Sequence, residues 1–397
     1  MPRAEDTQPP ALILGGGFLW CLSMIRSLGR RGVPVFVTGT RGHFVSYSRW
    51  HREAPAGWGR PPTPETLRDY LTALPVDRMV LIPPTDEWAL AVARLPAELA
   101  ARFPSSLAPL DSLEALIDKA RFAAVLEELG VPHPRTVRLG PLPLPAEAFA
   151  NAFLKPCDSM AFRRRFGVKG LHFTTPAEAM ARAAEVREAG LDVLLQEYVP
   201  GPPSHHFMVE GFVDRTGRVC GRFVRQRLRM HPPDFGDSTY MVSVSVDRVR
   251  PAVESLDRLL ARLSYRGVFE AEFKYDARDG EFKLLEVNGR PWSFIGFAAL
   301  CGVDFAAMAY RDALGLAVEP VHRYEPGRHC VVGLDRSACW ALFRGRQLGA
   351  WAWLRSWLSA RQMLFEWADP LPGVARLWQW VGTGVRRKLE RMLRAPR

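Results

Sequence analysis

Glu272, in Glu270-Ala-Glu-Phe-Lys274, and Glu286, at the head of Glu286-Val-Asn-Gly-Arg290, offer the most definite chemistry in this chain. Residues two apart on a β-strand share a face, so Glu286, Asn288 and Arg290 project together. Between the two stretches lies Asp276-Ala-Arg-Asp-Gly280, a turn sequence. If the flanking strands pair around it, Glu272 reaches the same face. Two carboxylates, an amide oxygen and a guanidinium then converge. Oxygen ligands this hard suit Mg²⁺, which keeps water and substrate phosphates in its remaining positions. The guanidinium suits another task, neutralising charge on a phosphoryl group in transfer. A solvated polar strand face is the plain alternative for any one of these residues. Four such groups beside apolar partners form a less common pattern.

The surrounding sequence supplies elements to hold them. Val268 to Lys274 and Phe282 to Val287 alternate as the two arms of a hairpin. Phe207 to Val246 alternates like antiparallel β-structure, with a turn at Asp214-Arg-Thr-Gly217. Within it, Arg225, Arg227 and Arg229 fall on one face; a guanidinium there can bind both oxygens of a carboxylate, and a solvated basic face is the alternative. Ala152-Phe-Leu-Lys155-Pro156 and Val193 to Tyr198 read as strands, the second closed by Pro200-Gly201. His205 and His206 follow and are expected to cap or line a lobe. Ser112 to Leu129 reads as one helix, capped by Ser112, with Leu113, Leu116, Phe122 and Leu126 as its apolar stripe. Gly130-Val-Pro-His-Pro134 breaks it, and Pro141 to Pro145 forms a linker.

The first hundred residues differ in pattern. Ala11 to Leu14 is an apolar run ending in Gly15-Gly16-Gly17, Leu19 to Leu28 has helical spacing, and Val33 to Val37 and Met79 to Ile82 are further strands. Thr85-Asp86-Glu87 opens another helix. This is a parallel, doubly wound α/β arrangement. A dinucleotide site needs an acid at the end of the second strand, which here ends Val37-Thr38-Gly39-Thr40. The three glycines serve either a tight turn or the approach of a small anion to a helix N-terminus.

The acid strand with Glu286-Val-Asn-Gly-Arg290 resembles the metal-binding strand of the ATP-grasp enzymes, in particular their carboxylate–amine ligase branch. The order of parts over residues 11 to 318 is similar too. Asp118-Lys119 before Gly-Val-Pro-x-Pro resembles the family's first phosphate-binding lysine, Lys155 its second, and Leu195-Gln-Glu-Tyr-Val-Pro-Gly201 the hinge that holds adenine. The resemblance implies a mixed α/β and α+β chain: a Rossmann-like pre-ATP-grasp domain (1–111), a two-lobed ATP-grasp domain (112–318, small lobe about 150–200, large lobe about 201–318) and a helical C-terminal extension (319–397). It implies ATP bound by Lys119, Lys155, Glu197, Tyr198 and Val199. It also implies two Mg²⁺ ions, with Mn²⁺ as a substitute, on Glu272, Glu286 and Asn288. Arg290 would face the γ-phosphate, and Arg227, or alternatively Arg229, would meet phosphate or a substrate carboxylate. Relatives carry glycines after the second lysine; here Arg163-Arg-Arg-Phe-Gly-Val-Lys169 stands in a loop that either covers phosphates or is solvated. The implied reaction couples a small carboxylate, activated as an acyl phosphate, to an amine. A bicarbonate-activating enzyme and a non-catalytic nucleotide-binding protein are the alternatives.

Composition bounds the remainder. A 397-residue chain that is 48% hydrophobic and 24% charged is globular and large enough for two or three domains. Its net charge of +11 suits phosphate, anionic lipid or nucleic acid, but no nucleic-acid-reading module is present, so no nucleic-acid partner is expected. The six cysteines follow no metal spacing and read as buried thiols of a cytoplasmic protein. Ala11 to Ile25 reads as strand and helix, not a secretory signal. After residue 318 tryptophan and arginine dominate, and the turn Asp369-Pro-Leu-Pro372 separates two amphipathic stretches. Those stretches pack on the grasp domain, or on a second subunit in a homodimer, or meet the inner membrane face peripherally.

Overall fold

The computed structural model describes residues 8–55, 59–139, 149–232, 236–345 and 348–380. The expected Pro141–Pro145 linker lies outside them. Four short strands, β1 (Ala11–Ile13), β2 (Val35–Val37), β3 (His51–Glu53) and β4 (Val80–Ile82), form a parallel sheet in the order β3-β2-β1-β4. β1 and β4 are buried throughout, so both read as unbroken apolar runs. β3, His-Arg-Glu at the sheet edge, has no apolar pattern and was not anticipated. The turn after β1 is drawn in by Gly15, whose N–H donates to Thr38 Oγ1 at 2.7 Å.

The single helix expected from Ser112 to Leu129 is two, Leu110–Ile117 and Lys119–Glu128. Asp118 is extended between them (φ −73°, ψ 104°), and its carboxylate accepts the Ala120 and Arg121 N–H groups at 2.8 and 3.0 Å. Asp118 is therefore the cap. Ser112 is buried one turn inside the first helix, its hydroxyl donating to Leu263 O. The break sets Lys119 at the first position of the second helix.

A three-stranded antiparallel sheet follows, from β5 (Thr136–Arg138), β6 (Ala152–Pro156) and β7 (Val193–Glu197) in the order β5-β7-β6. Leu154, Phe162, Ala183, Val186 and Leu195 give it a core of its own under the helix Pro176–Glu188. Where a loop, phosphate-covering or solvated, was expected, Ser159–Phe166 is helical, which moves the arginines onto a helix. Arg163 and Lys169 pair with Asp237 at 3.6 and 2.5 Å.

The large sheet has seven strands: β8 (His206–Val213), β9 (Val219–His231), β10 (Asp237–Ser243), β11 (Gly267–Asp276), β12 (Glu281–Asn288), β13 (His329–Val331) and β14 (Arg361–Gln362). Their order is β12-β11-β8-β9-β10-β13-β14. The chain after 318 is thus not purely helical: its β13 and β14 complete this sheet, between and beyond which run helices Arg336–Arg344, Ala350–Ser359 and one over 371–380. One core joins the first sheet to the large one, with Leu22, Ile25, Phe223, Trp292, Phe297 and Phe305 in mutual packing.

The C-terminal segment is tied to the N-terminal unit through Asp369. Its buried carboxylate accepts from Arg26 Nε at 2.9 Å, Ser48 Oγ at 2.8 Å and Arg49 N at 2.9 Å. Removing Asp369 takes from the buried Arg26 guanidinium its nearest carboxylate and from Ser48 Oγ and the Arg49 N–H their shared acceptor. Asp369→Ala should cost about 3–5 kcal/mol, read as a lowered midpoint of chemical denaturation. An unchanged midpoint would show that the tie carries no stability.

Candidate functional site

β11 and β12 pair as the turn sequence predicts, and their register sets the site. Glu272 lies opposite Glu286, and Glu270 opposite Asn288. Glu286 is exposed, while Glu272 is engaged: its Oε1 lies 3.0 Å from Arg227 Nη2 and 2.8 Å from His206 Nδ1. Burial alone would raise the Glu272 carboxyl, but Arg227 and the His206 hydrogen bond outweigh it and hold it well below the usual carboxylate range. Burial lowers His206 to about 4, so the ring is neutral and the proton that satisfies Glu272 sits on Nδ1. Asn288 Nδ2 donates to Glu270 Oε2 at 3.1 Å, which turns the amide oxygen away from that acid. Glu286, Asn288 and the unshared oxygen of Glu272 thus make an oxygen set that fits a hard divalent cation. Among the described residues no three His, Cys, Asp or Glu side chains are grouped to hold a metal by themselves.

Two lysines arrive from the other side. Lys155 Nζ on β6 donates to Leu285 O at 3.2 Å, next to Glu286. Burial lowers its pKa, the Glu286 charge opposes that, and Lys119 adds to the lowering. Lys119 Nζ donates to Cys157 O, just past β6. Lys119, Glu272 and Glu286 thus all lie within electrostatic reach of Lys155, where the small sheet meets the large one. Like cations held together this way fit an anionic ligand.

Other expected residues stand as follows. Arg290 Nε pairs with Asp86 Oδ1 at 3.0 Å, at the start of the helix after β4, which ties the site to the N-terminal unit. Glu197 pairs with Arg278 at 2.6 Å and accepts the Arg135 N–H at 3.3 Å. The Tyr198 N–H donates to Asn151 O at 2.6 Å. Val199 is buried beside it.

The three arginines of β9 divide. Arg227 is committed to Glu272 and Ser238 Oγ (2.9 Å), so it braces a carboxylate of the protein. Arg229 stacks over Tyr240 and pairs with Asp335 at 2.6 Å, which carries it to the C-terminal segment. Register shifts around Tyr240 in the β9–β10 pairing separate it from the other two. Arg225 is wholly buried between Glu210 and Glu270, with the Phe294 ring 4.6 Å from its guanidinium carbon. His206, Glu210, Glu270 and Arg225 were not expected site residues. Glu270, two residues before Glu272 on the same strand, shares its face by alternation, a signal that could have pointed to this layer.

With this geometry in view, solved structures resemble the chain over most of its length. The biotin carboxylase domain of the Hydrogenobacter thermophilus 2-oxoglutarate carboxylase, a dimer in complex with MgADP, ADP and bicarbonate, matches with TM-score 0.61 at 16% identity over 82% of this chain and 74% of that one. The L-amino acid ligase of Bacillus licheniformis matches with TM-score 0.53 at 14% identity over 82% and 79%. The fold is that of the ATP-grasp enzymes. In sequence the chain is similar to the D-aspartate ligase of Enterococcus faecium (strain Aus0004), 25% identical over 247 residues, 59% of this chain. The match spans 58% of that relative's length. No protein-family model matches.

Two outcomes test the buried layer. Arg225→Met removes the cation held between two buried acids, and should lower unfolding free energy by about 3–5 kcal/mol in urea titration. Burial, opposed by Arg225, pushes the Glu210 carboxyl up to about 8. The folded state therefore keeps a proton that the unfolded chain releases above the ordinary carboxylate range. That stability is complete at acid pH and lost as pH rises through about 8. Glu210→Gln should flatten the decline of stability across this window, and an unaltered slope would assign the decline elsewhere.

Proposed function

We propose that this chain is an ATP-dependent ligase that activates a small carboxylate as an acyl phosphate and couples it to an amine, releasing ADP and phosphate. The observation that supports it most is the meeting of Lys155 from the small lobe with Glu286 from the large one, opposite Glu272. The similarity to a D-aspartate ligase points the same way. The domains are read as 1–111, 112–318 and 319–397, with the nucleotide between the lobes of the second.

In this reading Lys119 and Lys155 hold the ATP phosphates as point charges. The Tyr198 carbonyl and Val199 backbone face the adenine, and Glu197, held by Arg278, closes the ribose side. Glu272, Glu286 and Asn288 hold two Mg²⁺ ions, with Mn²⁺ as a substitute. When bound, these ions supply charge neutralisation to the phosphates. Arg227 and His206 fix the orientation of Glu272, while Arg290, steadied by Asp86, presents its remaining N–H groups to the γ-phosphoryl. A carboxylate oxygen of the substrate attacks the γ-phosphorus and ADP departs. The amine then attacks the acyl carbon, the C–O bond to phosphate breaks, and the amine proton is lost. No side chain becomes covalently bonded, so alignment and fixed charges provide the acceleration.

Glu286→Gln should fold as the parent does by circular dichroism and lose about 10²–10³-fold in ADP formation. Full turnover in this variant would remove the metal assignment. An ADP-release screen over pooled carboxylates, bicarbonate included, with pooled amines identifies the pair. ADP release that depends on neither pool would sink the ligase reading.

A further inference from the structure

The C-terminal segment presents an outer surface unlike the rest of the molecule. On helix Ala350–Ser359, Trp351, Arg355 and Leu358 recur at helical spacing and all face solvent, Trp351 being 76% exposed. On the helix over 371–380, Leu371, Val374 and Trp378 form an outward stripe, with Trp378 72% exposed, and Trp367 just before it is 89% exposed. The adjoining side of that helix is the attached one: Ala375 packs on the core and Gln379 Nε2 donates to Gly42 O at 2.9 Å. The usual amphipathic rule is inverted, with the apolar stripe outside and the anchoring contacts inside.

Charge follows the same segment. From Arg336 to Arg397 the sequence carries twelve Lys and Arg against three Asp and Glu, so nine of the chain's net +11 lie in this stretch. Two of those acids are already used internally, Glu366 with Arg30 and Asp369 with Arg26. Two of the acids are thus taken up by docking, and among the described residues Arg355 stays exposed beside Trp351 and Leu358. Among the described residues no helix is long and apolar enough to cross a membrane.

We propose that this tryptophan- and arginine-bearing surface seats the protein on an anionic lipid bilayer, lying on the membrane with the indoles at headgroup depth. Indole rings suit that boundary because they combine a large apolar face with one N–H donor. Basic side chains beside them add attraction for acidic headgroups, each contribution fading within a screening length. A neutral apolar partner would leave the positive surplus unmatched, and a nucleic acid would leave the leucines and valine unmatched. An anionic bilayer matches both at once.

The test is co-sedimentation of the full chain with vesicles of phosphatidylcholine alone and of phosphatidylcholine mixed with phosphatidylglycerol in roughly equal parts. Pelleting is expected with the mixed vesicles only. It should be reversed when salt rises from about 0.1 to about 1 M, which shortens the screening length from about 10 to about 3 Å. The double variant Trp367→Ser, Trp378→Ser removes exposed groups only, so its thermal midpoint should match the parent's while its partitioning falls about tenfold or more. A chain ending at Trp380 should also bind less, having lost six basic residues. Equal recovery in the supernatant with both vesicle types overturns the proposal. So does stronger binding by the shortened chain, which would make residues 381–397 the natural cover of the stripe. Self-association that the double variant abolishes, without any pelleting, would assign the surface to a second copy of the chain instead.

Discussion

Two carboxylates directly opposite each other on neighbouring antiparallel strands repel, and Glu272 and Glu286 occupy such a pair. The molecule tolerates this by treating the two differently. Glu272 is neutralised from behind by Arg227 and satisfied by the neutral His206. Glu286 faces open solvent with Lys155 nearby, where a bound cation can complete the compensation. One layer deeper, Glu270 and Glu210 share Arg225 and lie out of water altogether. Charge therefore alternates through the sheet from buried and paired to exposed and available. The buried pairs are costly to break and worth little as net stability. What they supply is a fixed orientation for the outer carboxylate.

The packing divides the molecule along a different line. The first sheet and the large sheet share one apolar core, and Arg290–Asp86 bridges them at the site. The small sheet has a separate core, and several of its links to the large lobe are ion pairs at the surface: Glu197 to Arg278, and Arg163 and Lys169 to Asp237. Exposed pairs of this kind contribute of order 0–1 kcal/mol each. A lobe joined by such contacts can open and close at small cost, as the proposed admission of a nucleotide requires.

The hairpin that carries the acids was legible because three signals agree there: a period of two, a turn sequence, and polar residues at matching positions. The break at Asp118 was not, since the apolar stripe runs unbroken across it and only the backbone at one residue departs from helix. β3 escaped notice for the opposite reason, being a strand without an apolar pattern. Among the arginines, alternation reported the face but not the depth. It could not separate Arg225, wholly buried, from Arg227, braced on Glu272, or from Arg229, drawn to Asp335. His206 was passed over because its partner lies 66 residues away. The Asp369 tie to Arg26, 343 residues apart, is of the same kind: a pair whose members carry no local sign of each other.

The thiols narrow the chemistry from another direction. Burial pushes Cys21 up to about 12 and Cys301 to about 11, and raises Cys157, Cys220, Cys330 and Cys339 as well. Thiolate, not thiol, is the nucleophile, so none of the six is poised to attack near neutral pH. Cys157 is the one next to the two lysines, and what it offers there is its backbone carbonyl, which accepts from Lys119. The groups that do converge are cations and hard oxygen atoms. Such an assembly can hold polyanions and stabilise charge as it moves between oxygens, and it has no thiolate with which to carry an acyl or phosphoryl group.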